Sequence, residues 1–178
     1  MKLWPRQFNI YLMLVAILGL LCGCSSLMNK PHGPTAALRI HIEANRDSVA
    51  LGTAETVSVL RADPVLVTIA KQPILTEANI IAARLIEAPG GFAIEVRFDE
   101  TGTWVLEQET AANPGRHLVI FGQWGEKLAN GRWLAAPVIT HRIGNGVLAF
   151  TPDMSQAEVE QLITGLNNVA QFNKKRSK

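Results

Sequence analysis

Beyond its first 35 residues, the chain changes hydrophobic period several times. Leu38, Ile40 and Ile42 alternate with Arg39, His41 and Glu43, the period of a half-buried strand. A polar loop follows over residues 44–55, then two short strands over 57–60 and 66–70, the first stopping before Asp63-Pro64. Thr76 precedes Ala78, Ile81, Ala82, Leu85 and Ile86, which share one face at helical spacing and predict a helix to about Glu87, stopped by Pro89-Gly90-Gly91. Alternation returns in Phe92, Ile94, Val96 and Phe98. Asp99 then caps a helix that runs towards Asn113 and closes at Pro114-Gly115.

The last third predicts strands over 118–121, 133–139 and 142–150, the final one interrupted by Gly144-Asn145-Gly146. Between the first two lies a long, glycine-punctuated loop over 122–132. Ser155 and Glu158 have capping-box spacing before Val159, Leu162, Ile163, Leu166, Val169 and Ala170, the buried stripe of a closing helix. The order β-β-β-α-β-α-β-β-β-α implies an α+β fold, a two-layer sandwich with a mostly antiparallel sheet and about three helices.

The N-terminus has a different character. Lys2 and Arg6 precede an apolar run of 13 residues, 10–22, too short for the ~20 residues of a membrane-spanning helix and typical of a secretory signal. The run ends in Leu21-Cys22-Gly23-Cys24-Ser25-Ser26, which resembles a bacterial lipobox. That resemblance implies cleavage before Cys24, diacylglycerol on its thiol and an acylated new amino end, with several acyl chains giving stable anchoring. Residues 1–23 are then a lipoprotein signal peptide and 24–35 a lipidated tether rich in Ser, Pro and Gly. Ser25 stands where an aspartate would favour inner-membrane retention, so the expected location is the periplasmic face of the envelope, with the outer membrane slightly preferred.

Cleavage resets the charge and cysteine counts. The mature chain keeps no free thiol, so its fold must rest on its core and not on disulfides. Loss of Lys2 and Arg6 leaves 15 basic against 15 acidic residues, and four of the basic ones, Lys174, Lys175, Arg176 and Lys178, sit in a tail over 173–178. The body therefore carries 11 basic and 15 acidic groups, net −4, which argues against a nucleic-acid partner. The tail reads as a solvated, frayed end.

Within this pattern, residues 74–168 resemble the head subdomain of the first periplasmic domain of SecD, a subunit of the bacterial export complex SecDF. The resemblance rests on Leu75-Thr76, on Ala93-Ile94-Glu95-Val96-Arg97-Phe98-Asp99 with Gly102, and on Thr110. It continues through Gly115-Arg116-His117-Leu118-Val119-Ile120, Ala136-Pro137-Val138-Ile139, Ile143-Gly144 and the helix from Ser155 to Leu166. It implies a SecD-head-like domain over 73–172, preceded by a strand region over 36–72. It also implies a tendency to contact other polypeptides, with a Sec-type export partner, and no catalysis.

The residues offer little chemistry of their own. The histidines, His32, His41, His117 and His141, form no close pair, so neither a metal nor a cofactor is expected. Ser155 is explained by its capping role, and no nucleophile elbow is present. Asp99 and Glu100 fall at a helix start, while Glu107 and Glu109 point apart on one helix, so no acid–base pair spans a cleft. Gly144 and Gly146 precede a strand and not a helix, which reads as a bend and not a phosphate loop.

The surface expected to bind a partner is the 122–132 loop with Phe121, Trp124, Arg132 and Trp133 around it, because aromatic and arginine side chains dominate binding hot spots. The expected function is a non-enzymatic, lipid-anchored envelope protein that binds a protein or peptide, in export or envelope assembly. The alternative is a structural module or one that binds glycan or another small ligand, which would need an aromatic and carboxylate cleft near Trp124.

Overall fold

Strand β1 (Ala37–Ile42) lies inside a four-stranded sheet, between β4 (Leu75–Thr76) and β7 (Leu118–Trp124), with β8 (Asn130–Ala135) on the far side of β7. The computed structural model describes residues 33, 35–60 and 62–176. Cys24 and His32 lie outside the described residues, so the expected lipidation site has no structural counterpart here. All pairings in this sheet are antiparallel, with Ile40 opposite Ile120 and Leu75. The strand region over 36–72 therefore supplies a central strand of the unit that spans residues 31–178.

A second antiparallel sheet has the order β5 (Ile80–Ala88), β6 (Gly91–Phe98), β9 (Val147–Phe150). Helices α2 (Glu100–Ala112) and α3 (Gln156–Arg176) share one hydrophobic core with both sheets. Leu38, Ile40, Ile94, Leu106, Ile120, Leu134, Leu162 and Leu166 are its buried centre. A hairpin of β2 (Ala54–Val59) and β3 (Val65–Ala70) stands apart as its own two-stranded sheet. Val59, Val67 and Ile69 of this hairpin pack on Val119 and Trp133, on the other face of the four-stranded sheet. This is the expected antiparallel α+β fold, with a small flap added outside it.

The expected helix over 76–87 is instead strand β5. Thr76 does cap, but only a single 3-10 turn, Glu77–Asn79, in which its hydroxyl accepts from the Ala78 N–H and its own N–H donates to Asn79. The chain is extended from Ile80, because Pro89-Gly90 makes a two-residue turn that returns β6 along β5. Ala88 faces Gly91, Glu87 faces Phe92 and Arg84 faces Glu95. Gly90, at φ 84°, supplies the left-handed position that the turn requires. A helix there would have left a long edge of β6 unpaired.

Smaller differences have similar causes. A short helix, α1 (Asp47–Ala50), occupies the expected polar loop. β8 ends at Ala135, beyond which Pro137 and Ile139 bond to Leu118, Gly115 and Arg116, and Val138 forms a lone bridge with His117. β9 begins only at Val147, after the bend in which Gly146 has φ 69° and Asn145 accepts from the Val147 N–H. The expected frayed tail is helical as far as Arg176, because α3 continues past its buried stripe.

Candidate functional site

The residues expected to flank a binding loop lie on strands. β7 continues to Trp124, the connection is a tight turn over 125–129, and β8 begins at Asn130, so the 122–132 loop is mostly hairpin. Gly122 and Gly131 suit close contact and not a loop: a Cβ at Gly122 would lie 2.6 Å from Leu134, and one at Gly131 would lie 3.0 Å from Gln123 and 3.3 Å from Phe121. Lys127 and Leu128 adopt positive φ of 53° and 58°, which closes the turn in few residues.

Strand alternation divides the four candidates between two faces. Trp124 and Arg132 point into the main core. Trp124 is 1% exposed, so it is corrected from surface anchor to core residue: its ring fills the space under α3 and has no face left for a ligand. Arg132 lies over that ring, with its guanidinium carbon 4.9 Å from the centroid. It also donates to the Asp153 carbonyl at 3.1 Å and to Glu158 at 2.8 Å. Glu158 belongs to the capping box with Ser155, whose N–H donates to it at 2.8 Å, and its pKa is held below the ordinary carboxylate value chiefly by that backbone bond. Arg132 thus ties β8 to the start of α3 through its Nε and Nη2.

Phe121 and Trp133 face the other way. Their rings meet at 5.0 Å, and Trp133 also meets the His41 ring edge-on at 5.3 Å. Both aromatic residues are half-buried, with Gln123 beside them and exposed Arg39 opposite Phe121 on β1. His41 is buried, and its Nδ1 lies 2.8 Å from the Ala70 carbonyl of β3, so it clasps the flap to the sheet. Burial is the main cause that lowers the His41 pKa, only partly offset by the Ala70 bond and Glu55. With the ring neutral, Nδ1 donates to Ala70. The accessible candidate surface is therefore an aromatic step, Phe121 and Trp133, at the margin of the flap.

Other polar groups are held in structural bonds. Glu43 accepts from the His117 ring at 2.7 Å and from its N–H at 3.0 Å. His141 bonds to Thr140, and Glu107 pairs with Arg142. Asp99 accepts from the Gly102 N–H as the cap of α2. Among the described residues, no three His, Cys, Asp or Glu side chains converge as metal ligands. A cavity of about 720 Å³ opens between the strand-entry segment at Gly33 and Thr35, the β7–β8 turn and the first half of α3, where Glu126, Lys127 and Glu160 reach it.

One surface residue was not singled out by sequence. Trp104 on α2 is 62% exposed, more than any other aromatic side chain among the described residues. Its place on a helix face opposite buried Leu106 and Thr110 was the available signal. Among the described residues, no helix is long and apolar enough to cross a membrane.

No family model and no curated relative matches the chain. Solved structures of SecDF do. One, described as a membrane component that enhances protein export, superposes with TM-score 0.52 at 21% identity, covering 76% of this chain and 64% of that one. A second, SecDF in its super-membrane-facing form, gives TM-score 0.51 at 21% identity over 76% of this chain and 19% of the other. The chain thus spans less than two thirds of the SecDF chains that it matches. What is shared is the fold, and it is the SecD-like α+β fold expected from the sequence.

Proposed function

We propose that this is a non-enzymatic, lipid-anchored envelope protein that binds a polypeptide partner during protein export or envelope assembly. The SecDF-like fold across 76% of the chain carries the reading, because SecDF itself is a membrane component that enhances export. Fold alone does not transmit function, so the proposal leans equally on the lipobox-like residues at Cys24, which put the chain in the same compartment. In this reading Cys24 attaches it to the periplasmic face of a membrane, with the outer membrane slightly preferred because Ser25 is not an aspartate. The half-buried pair Phe121–Trp133 is the contact surface, since an apolar step beside an exposed arginine suits an extended peptide better than a sugar or metabolite. Trp124, the residue on which a glycan cleft would depend, has no open face.

A photoreactive side chain at Gln123, beside Phe121 and facing outward, tests this in intact cells. Crosslinks to a stalled export substrate or a Sec component are expected, and Phe121→Ala should weaken them. Absence of crosslinks from Gln123 in the presence of crosslinks from a second probe at Trp104 would move the contact to α2. Absence from both would overturn the binding proposal. Cys24→Ala should abolish palmitate incorporation, which tests the anchor separately.

A further inference from the structure

The outer edge of β2 is open. Lys71 donates its N–H to the Thr53 carbonyl, and the register extends that pattern along the hairpin, so that Glu55, Val57 and Val59 bond to β3. Ala54, Thr56 and Ser58 therefore aim their N–H and C=O groups away from β3. The residue opposite Thr56 agrees: the Thr68 carbonyl also points outward from the hairpin, where it accepts from the Ala44 N–H at 2.8 Å. Among the described residues, no strand or loop backbone pairs with the outward groups of β2.

The other edges are guarded. Asn167 occupies Ala83 on β5, and Asp153 donates its N–H to the Leu134 carbonyl beside β8. On β3, Ala44 and the His41 ring take the Thr68 and Ala70 carbonyls. On β9 the Val147 N–H is held by Asn145, and β4 has only two residues. β2 has six residues and carries no proline, lysine or bulge, the usual devices against pairing with another chain. Its one charge, Glu55, lies at the base of the flap, opposite Ile69, and leaves exposed Thr56 and Ser58 without a guard.

This edge adjoins the aromatic step. β2 approaches β8, and Trp133 of that strand and Val57 of β2 pack on the same small core. Around His41, Arg39 and Glu55 contribute one charge of each sign, so charge does not select the occupant. An extended polypeptide fits what remains, because its main chain pairs with a strand edge while alternate side chains enter apolar sites. We propose that β2 binds an unfolded segment of a polypeptide partner as an added strand of the flap, which runs on to the Phe121–Trp133 step. The inference rests on the polypeptide-binding reading and supplies its mode, recognition through the main chain, which tolerates many sequences.

The test uses the full lipidated protein in detergent micelles and a short fluorescent peptide, blocked at both ends, in which valine alternates with threonine and lysine. Anisotropy reads binding, and amide exchange is followed at Thr56 and Ser58. Binding is expected, with slowed exchange at both amides. The same peptide methylated on every amide nitrogen keeps its side chains and should bind roughly tenfold more weakly. Thr56→Pro should weaken the unmethylated peptide to a similar extent, because the N–H it removes points outward and the β2–β3 bonds remain. Thr56→Val keeps that N–H and should bind as the unmodified protein does. The methylated peptide carries the test if Thr56→Pro fails to fold. Undiminished binding of the methylated peptide, lost in Phe121→Ala, overturns strand addition and leaves the aromatic contact standing. Binding of neither peptide overturns strand addition, and crosslinking from Gln123 then decides the polypeptide-binding reading separately. Slow exchange at Thr56 and Ser58 in the protein alone, deepening with its concentration, would mean that a second copy fills the edge and would also overturn the proposal.

Discussion

The side-chain amide of Asn167 pairs with both backbone groups of Ala83: it accepts from the Ala83 N–H at 2.8 Å and donates to the Ala83 carbonyl at 2.9 Å. An α3 residue thereby pairs with one position on the outer edge of β5 as a neighbouring strand would. An edge with unmet donors and acceptors invites pairing with another chain, and at Ala83 it is occupied from within. Asn167→Ala should lower stability by about 1–3 kcal/mol, the cost of stranding part-buried polar groups. It should also raise the tendency to aggregate on refolding. Asn167→Asp keeps the acceptor but sets a carboxylate against a carbonyl, so it should not rescue. A urea midpoint that shifts down with an unchanged m-value checks the first claim, and light scattering checks the second.

The division of Phe121 and Trp133 from Trp124 and Arg132 by strand alternation separates stability from binding. Trp124→Ala should cost about 3–5 kcal/mol as a large core deletion. Arg132→Ala should cost about 1–3 kcal/mol, because Glu158, the Asp153 carbonyl and the Trp124 ring lose one shared partner. Phe121→Ala, at a half-buried position, should cost less than either and yet reduce capture from Gln123. Denaturation curves and crosslinking yields on the same three variants check the ranking. A stable Arg132→Ala protein with lost crosslinking would contradict it.

The sequence was most informative where one physical signal dominated. The β1 strand, the Asp99 cap and the Ser155–Glu158 box each describe a local constraint, and each is in place in the structure, although the flap buries His41 on the face expected to be open. The expectation of a helix up to Glu87 failed because Ala78, Ile81, Ala82, Leu85 and Ile86 satisfy helical spacing, and Pro89-Gly90 ends a helix as readily as it turns a hairpin. Register decided the outcome, through nonlocal pairs such as Arg84 with Glu95, which also form a 2.7 Å ion pair. Two β-type runs symmetric about Pro89-Gly90 were the legible clue. At 122–132, glycines that mark a loop by composition instead make room for Leu134, Gln123 and Phe121. Which face of the hairpin each aromatic side chain occupies follows from that register, so the candidate set was only half accessible.

Acid should loosen the flap before it unfolds the domain. His41 has a folded pKa below its ordinary 6.5, mainly through burial, so the unfolded chain binds its proton first as pH falls. Its contribution is fully present above about pH 6.5 and declines below that value, until the folded pKa is reached. Glu43 acts in a lower window. Burial pushes its pKa up, but the ring and backbone bonds of His117 pull it below the ordinary 4.5, so its stabilisation is lost as pH falls through that lowered value. His41→Gln retains an N–H for the Ala70 carbonyl without titrating, and it should flatten the melting-temperature profile below about pH 6.5. Glu43→Gln should flatten only the more acidic limb. Thermal melts of the three proteins across this range check the two windows.

Gly165 gives the last and simplest expectation. In a helix interior, Gly→Ala ordinarily stabilises by about 1 kcal/mol. Here the added methyl would lie 2.6 Å from the Ala36 Cβ and 2.8 Å from the Thr35 carbonyl carbon, closer than real contacts permit. The Ala36 side chain is itself buried and cannot swing away. Gly165→Ala should therefore reverse the usual sign, destabilise the fold by roughly 1–3 kcal/mol through overpacking, and lift the entry segment from α3. Limited proteolysis should then cut faster near residues 33–36 than in the unmodified protein, while cleavage elsewhere stays the same. A stabilised Gly165→Ala protein would contradict the close crossing of the entry segment over α3.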